Sequence, residues 1–96
     1  MGAHLVIAED DRAVRESVTR ALELEGYTVT AVSEGIAALE AASASDVDLL
    51  LLDLGMPNID GLTVCRRLRS AGSRLPILVL TARTEVSDRV SGLDAG

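Results

Sequence analysis

The sequence contains almost no aromatic residues and no lysine. Tyr27 is the only aromatic side chain among 96 residues, and all nine basic residues are arginine. One tyrosine cannot form the stacking platform with which many proteins bind single-stranded nucleic acids. Nine basic residues against fifteen acidic residues leave a formal charge of -6, which repels phosphate backbones. These absences argue against direct binding of nucleic acid by this segment.

Cysteine and long hydrophobic runs are also scarce. Cys65 is the only cysteine, which excludes an internal disulfide, and its place on an apolar helical stripe predicts a buried, inert thiol. No apolar run approaches the roughly 20 residues needed to cross a bilayer. The first residues lack the charged and apolar regions of a signal peptide. We therefore expect no membrane contact and a cytoplasmic location. His4 precedes the first strand and receives no role.

Short apolar runs alternate with segments of helical spacing. Helical spacing appears within 14–22, 36–40, 62–68 and 86–93, and the predicted strands are 5–8, 27–32, 47–52 and 77–80. The run at 47–52 is almost wholly apolar, as expected for a central strand that is covered on both faces. The alternation predicts a parallel sheet with right-handed crossovers, and no internal domain boundary is visible.

Several polar residues and glycines mark the predicted helix ends. Asp11, Ser33 and Asp60 each precede a helical segment and are predicted N-caps. Gly26 is predicted to end the first helix in a left-handed conformation, and Gly72 to break the chain after the third.

Acidic residues follow the predicted first and third strands. Glu9 and Asp10 leave the first, Asp53 leaves the third, and Thr81 leaves the fourth. In a flavodoxin-like strand order, ligands bind beyond the carboxyl ends of strands one and three, so these residues are expected to meet at one edge of the sheet. Three adjacent carboxylates repel one another, and the chain has no lysine to neutralise them. Octahedral magnesium, which prefers oxygen ligands, is the expected compensation.

Each of these residues also has a purely structural interpretation. An acidic triplet after a strand is commonly a solvated loop with a helix cap, and Asp11 keeps that interpretation. A single aspartate at a strand end, such as Asp53, is more often a turn former. Thr81 is a plausible cap of the following loop. Glu9, Asp10 and Asp53 are expected to lie together, and this favours a metal-binding site over separate structural roles.

Four spaced segments resemble response-regulator receiver domains of bacterial two-component systems. They are residues 5–11, 50–57, 60–61 and 78–83, which together span most of the chain. The local sequence is similar to the branch of that family whose separate carboxy-terminal winged-helix domain binds DNA. The resemblance implies a flavodoxin-like doubly wound parallel sheet in the order 2-1-3-4.

The resemblance also implies a role for each site residue. Asp53 matches the phospho-acceptor, which receives its phosphoryl group from a phosphohistidine of a sensor histidine kinase. Glu9 and Asp10 match the acidic pair that holds Mg2+ together with Asp53. The remaining implied roles are a backbone carbonyl ligand of the metal at Gly55, the switch hydroxyl of Thr81, and a backbone N–H from Ala82 to the phosphoryl group. Such a domain is not an enzyme with a separate substrate, although it assists its own phosphorylation and dephosphorylation.

The sequence departs from the family pattern at its carboxyl end. Receiver domains continue with a fifth strand, a lysine after it and a closing helix, whereas this chain stops at Gly96. We therefore expect residues 1–96 to form one receiver domain that is incomplete at the carboxy terminus. An exposed edge of strand four is expected to favour a homodimer or a swapped oligomer.

Other functional classes fit the sequence less well. Haloacid-dehalogenase-like phosphatases carry a second aspartate two residues after the nucleophile, where this chain has Gly55. Neither G-x-G-x-x-G nor G-x-x-x-x-G-K-[ST] occurs, which argues against a nucleotide site. The remaining alternative is a receiver-like interaction or dimerisation module without phosphorylation. Such a module would not require the acidic pair that is present here.

Overall fold

The computed structural model describes residues 2–56 and 59–80. Over these residues the strands are parallel and follow the order β2-β1-β3-β4, which confirms the predicted flavodoxin-like topology. The predicted helical segment at 86–93 lies outside the described residues. The elements are β1 (His4–Ala8), α1 (Arg12–Leu24), β2 (Thr28–Val32), α2 (Gly35–Ala42), β3 (Leu49–Asp53), α3 (Gly61–Ser70) and β4 (Ile77–Leu80).

The two central strands form the middle of the main core. Val6 and Ala8 of β1 and Leu50 and Leu52 of β3 are fully buried, as their apolar sequence predicts. Since side chains alternate along a strand, these four face the same side of the sheet. There they pack with buried residues of α2 and α3, among them Cys65, whose burial is confirmed and raises the pKa of its thiol.

Helix α1 covers the opposite face and is anchored differently. It contacts β1 and β2, while its residues take no part in the cluster formed with α2 and α3. None of the 13 residues between Arg12 and Leu24 is buried. Partly buried side chains such as Val18 and Leu22, together with the hydrogen bond from Arg15 to the loop after β1, hold α1 in place.

Most predicted helix ends are confirmed. The carboxylate of Asp11 accepts from the Val14 N–H at 3.1 Å, and that of Asp60 accepts from the Thr63 N–H at 2.9 Å. Gly26 and Gly72 adopt φ angles of 98° and 88°, in the left-handed region that favours glycine. These residues delimit α1 and α3 as the sequence predicted.

The predicted N-cap Ser33 is wrong. Glu34 precedes α2 instead, with an extended backbone and no capping hydrogen bond from its side chain. The start of α2 is determined by packing, because a β-carbon at Gly35 would overlap the Ile59 carbonyl oxygen. Glycine thus permits the close approach of α2 to the loop before α3.

The predicted start of the third strand is also too early. The apolar run begins at Val47, but β3 begins at Leu49. Val47 is buried in the loop just before β3. The next residue, Asp48, donates its main-chain N–H to the His4 carbonyl, and its carboxylate accepts from the His4 N–H. An apolar residue that is buried in a loop therefore looks, in the sequence, like part of the strand that follows it.

Gly61 is expected to be intolerant of even a methyl group. A β-carbon there would lie 2.8 Å from the Asp53 carbonyl oxygen and from the Leu54 α-carbon. Because these are backbone atoms, Gly61→Ala should lower the free energy of unfolding by about 2 kcal/mol. Urea denaturation measures the loss, and the Asp53 amide resonance should shift.

Gly26→Ala is the matched control. A β-carbon at Gly26 would meet nothing within 4 Å, so that variant should lose only about 1 kcal/mol for its left-handed backbone. It should also leave the Asp53 resonance in place. A Gly61→Ala protein that is no less stable than Gly26→Ala would contradict the steric explanation.

Candidate functional site

Two adjacent strands deliver acidic side chains to one edge of the sheet. Ala8 of β1 pairs with Leu52 of β3, so Glu9 and Asp53 follow at neighbouring positions. Asp10 is the next residue of the loop. One carboxylate oxygen from each of the three side chains lies within 4.8 Å of the other two. The structure thus brings together the three carboxylates that the sequence analysis expected to meet.

Glu9 is the most deeply buried of the three, with 7% of its surface exposed. Its main-chain N–H donates to the Val32 carbonyl at 3.0 Å, and its Oε2 accepts from the Asp11 N–H at 3.0 Å. Burial, followed by the nearby charge of Asp53, raises the pKa of Glu9 to about 7, against the opposing effect of the Asp11 hydrogen bond. Glu9 therefore retains a proton more readily than an ordinary glutamate.

Asp53 is half-buried at the end of β3. Burial raises the pKa of its carboxyl, while a hydrogen bond from the Gly55 N–H acts in the opposite direction. The neighbouring Asp10 is exposed, and its hydrogen bond and charge also raise the pKa of Asp53. The site thus combines two carboxylates of restricted solvation with one that faces solvent.

The cluster has the composition and size of a divalent-cation site. At 4.8 Å, two unit charges repel by about 3.5 kcal/mol at an effective dielectric of 20. Two opposite ligands of octahedral magnesium, each about 2.1 Å from the ion, are roughly 4.2 Å apart. Adjacent ligands are roughly 3.0 Å apart, so three carboxylate oxygens within 4.8 Å of one another can share one ion after movements of about 1–2 Å.

Gly55 and the end of β4 lie near the acidic cluster. Gly55 is exposed in the loop after β3, next to the carboxylate that its N–H contacts. Leu80, the last residue of β4, pairs with Asp53, so β4 ends at the edge where the acidic cluster lies. Thr81 and Ala82 themselves lie outside the described residues.

Two further residues contribute to the acidic loop in ways that the sequence analysis did not predict. Asp11, predicted only as a helix cap, also donates its N–H to Glu9. Arg15 in α1 donates from Nη1 to the Glu9 carbonyl at 2.9 Å. No sequence signal identified this bond, because its acceptor is a main-chain carbonyl. His4 lies at the opposite end of the sheet, where it contacts Thr30 and Asp46.

Within residues 2–56 and 59–80, no helix is long and apolar enough to traverse a bilayer.

The fold and the cluster together define an α/β domain with an acidic site at the carboxyl edge of its parallel sheet.

Comparison with known sequences identifies the family. The response regulator receiver domain family matches residues 5–96. The response regulator MprA of Mycobacterium ulcerans (strain Agy99) is 55% identical over 96 residues, which are 100% of this chain and 41% of that protein. MprA of Mycobacterium bovis (strain BCG / Pasteur 1173P2) is 53% identical over the whole chain and 42% of its own length. The chain thus spans about two fifths of the length of these relatives.

Solved structures agree with the sequence comparison. A response regulator from Chloroflexus aurantiacus J-10-fl has a TM-score of 0.91 and 36% identity, covering 100% of this chain and 80% of that one. The BeF3-activated N-terminal receiver domain of Klebsiella pneumoniae RstA has a TM-score of 0.88 and 31% identity, covering 97% and 79%. This chain therefore belongs to the receiver domain family of two-component response regulators, as its sequence motifs had indicated.

The raised pKa of Glu9 predicts a pH-dependent stability in the absence of metal. Between the ordinary value of 4.5 and about 7, the folded chain binds more protons than the unfolded chain. Stability from this group is therefore complete below pH 4.5 and is lost as pH rises through about 7, a change of about 3 kcal/mol. Urea unfolding at pH 5 and pH 8, with chelator present, measures it.

Glu9→Gln provides the control, because glutamine cannot titrate. The parent should lose stability relative to Glu9→Gln as pH rises from 5 to 8. A constant difference between the two proteins over this range would show that Glu9 is not held in its protonated form.

Proposed function

We propose that the chain is a phospho-acceptor module in which Asp53 receives a phosphoryl group from the phosphohistidine of a sensor histidine kinase. Glu9, Asp10, Asp53 and the Gly55 carbonyl would hold Mg2+ beside the acceptor. The observation that carries the proposal is the cluster of three carboxylates within 4.8 Å at the carboxyl edge of the sheet. A plain interaction module does not need such a cluster, which disfavours that alternative.

The reaction is a phosphoryl transfer between two side chains. A carboxylate oxygen of Asp53 attacks the phosphorus in line, the P–N bond breaks, and its electron pair remains with the imidazole, which takes up a proton. The product on this chain is an acyl phosphate. When bound, magnesium supplies positive charge that offsets the negative charge of the transferring group. The half-buried position of Asp53 limits the access of water to the reacting atoms.

Thr81 and Ala82 complete the proposed acceptor. Their roles are to donate hydrogen bonds to phosphoryl oxygens from the Thr81 hydroxyl and the Ala82 N–H. Support comes from the pairing of Leu80 with Asp53, because β4 ends with Leu80 at the level of the acceptor. Replacing Thr81 by alanine is expected to alter the downstream response more than the attachment of phosphate.

The proposal extends to the output and the setting of the domain. The whole of residues 1–96 is taken as receiver domain, since the family match covers residues 5–96. The relatives are response regulators more than twice as long as this chain, which suits control of a further domain that regulates transcription. A cytoplasmic location follows from the kinase partner. The BeF3-activated form of the RstA receiver domain supports an acceptor of this kind, because BeF3 resembles a phosphoryl group in shape.

A small phosphodonor should label Asp53 directly. Acetyl phosphate with magnesium is expected to add the mass of one phosphoryl group to the intact chain, and chelator should abolish the addition. Asp53→Asn should remain unlabelled because it lacks the nucleophile, whereas Asp46→Asn, at the opposite end of the sheet, should be labelled like the parent. Label in Asp53→Asn, or labelling that survives chelation, would contradict the assignment.

Self-association through β4 is a further part of the proposal. Among residues 2–56 and 59–80, β4 pairs only with β3, and Leu78 in its middle is 50% exposed. The unpaired N–H and C=O groups of such an edge can add the strand of another molecule. The proposed partner is a second copy of this chain, which presents the same edge and the same apolar side chain.

The oligomeric state tests this part. Light scattering across a dilution series should show a mass that falls towards that of the monomer. Leu78→Lys should shift the equilibrium to monomer, because charge on an edge opposes pairing. Ile36→Lys, at an equally exposed site of 51% on α2, should behave like the parent. A parent that is monomeric at high concentration, or two variants that behave alike, would refute association through β4.

A further inference from the structure

An arginine of α1 contacts the main chain of the acidic loop. Nη1 of Arg15 donates to the Glu9 carbonyl at 2.9 Å and lies 3.5 Å from the Asp10 carbonyl oxygen. The first distance is that of a good hydrogen bond, and the second is a weak contact. Among the described residues, Arg15 makes no ion pair with a carboxylate.

A guanidinium next to an acidic loop would ordinarily be expected to pair with a carboxylate, but Arg15 contacts main-chain carbonyl oxygens instead. The acidic neighbour one residue along the helix, Glu16, pairs with Arg12 at 2.9 Å instead. Glu9 uses its Oε2 for the Asp11 N–H, so Arg15 contacts the Glu9 main chain rather than its side chain. The carboxylates of the cluster therefore remain without a guanidinium partner that would compete with a cation.

The Arg15 hydrogen bond fixes a part of the loop that the other bonds leave free. The Glu9 N–H is held by the Val32 carbonyl, and the carboxylate of Asp11 is held by the Val14 N–H. The peptide group between Glu9 and Asp10 is planar, so a bond to its carbonyl oxygen orients the whole plane. That plane determines the direction in which the exposed Asp10 leaves the main chain.

We infer that Arg15 is a positioning residue of the acidic site, which orients the Glu9–Asp10 peptide so that both carboxylates face one divalent cation. The inference rests on the magnesium site proposed above. The competing explanation is that Arg15 only tethers α1, a helix without a buried residue, to the end of β1. The two explanations make different predictions for the magnesium affinity of a folded protein that lacks Arg15.

Charge and positioning predict opposite effects when Arg15 is removed. A guanidinium beside the site repels Mg2+, so loss of the charge alone should strengthen magnesium binding. Loss of a group that orients metal ligands typically weakens binding by about 10-fold or more. A weaker site in a folded Arg15→Met protein therefore cannot come from electrostatics.

The experiment is a calorimetric titration of magnesium into the 96-residue chain and its variants. Arg15→Met keeps most of the side-chain stem but has no donor, and should bind about 10-fold more weakly than the parent. Arg15→Lys retains a single charged donor and should lose about threefold, since an ammonium lacks the planar fork. Arg12→Met removes the same charge from the same helix without touching the loop, and should bind as the parent does or slightly more tightly.

Urea denaturation of each variant separates the two roles of Arg15. A tether alone would lower stability while the folded fraction bound magnesium with the parental affinity, and that result would overturn the inference. If Arg15→Met does not fold, Arg15→Lys decides, because parental affinity in that variant leaves Arg15 only as a tether. A parent that binds no magnesium, or an Asp53→Asn variant that binds as the parent does, would instead refute the proposed site itself.

Discussion

The mutual repulsion of three carboxylates is the constraint on which the rest of the site depends. Glu9 and Asp53 are carried to the same edge by two adjacent buried strands, so neither can move away without disturbing the sheet register. The N–H groups of Asp11 and Gly55 offset part of the negative charge. They do not remove it, since burial, with a smaller contribution from the neighbouring carboxylates, still raises the pKa of both Glu9 and Asp53. A proton on Glu9 or a cation beside it would each offset the remaining charge, and the two would compete for the same oxygens.

The two faces of the sheet support this site unequally. The face bearing Val6 and Leu50 is closed by α2 and α3 and contains the fully buried residues of the main core. Across the described residues, the other face is covered by α1, whose Val18 and Leu22 are only partly buried. Asp53 thus ends a strand of the packed core, whereas Glu9 and Asp10 begin a loop that hydrogen bonds from Asp11 and Arg15 also hold. Small movements of Glu9 and Asp10 in the loop therefore require less free energy than a movement of Asp53 in the packed core.

Topology explains why the fold and the three carboxylates could be predicted from sequence. Alternating strands and helices restrict the possible arrangements, and in the parallel order observed the residues after β1 and β3 must be neighbours. Helix N-caps were equally predictable at Asp11 and Asp60, because each carboxylate accepts a hydrogen bond from an N–H group only three residues later. The start of α2 was not predictable, because it depends on the contact between Gly35 and Ile59, which are distant in sequence. Val47 was misassigned because a buried loop residue and a strand residue look alike in sequence.

The contribution of Arg15 shows a more general limit of sequence patterns. Its partner is a main-chain carbonyl, and every residue offers one, so no pairing of residue types identifies the bond. Sequence can locate groups whose chemistry is unusual, such as adjacent carboxylates, but not the groups that orient them through the main chain. In this domain the second kind matters beside the first, because carboxylates that repel one another have no inherent reason to converge. Their convergence depends on a backbone held from outside the cluster, on one side by the sheet and on the other by α1.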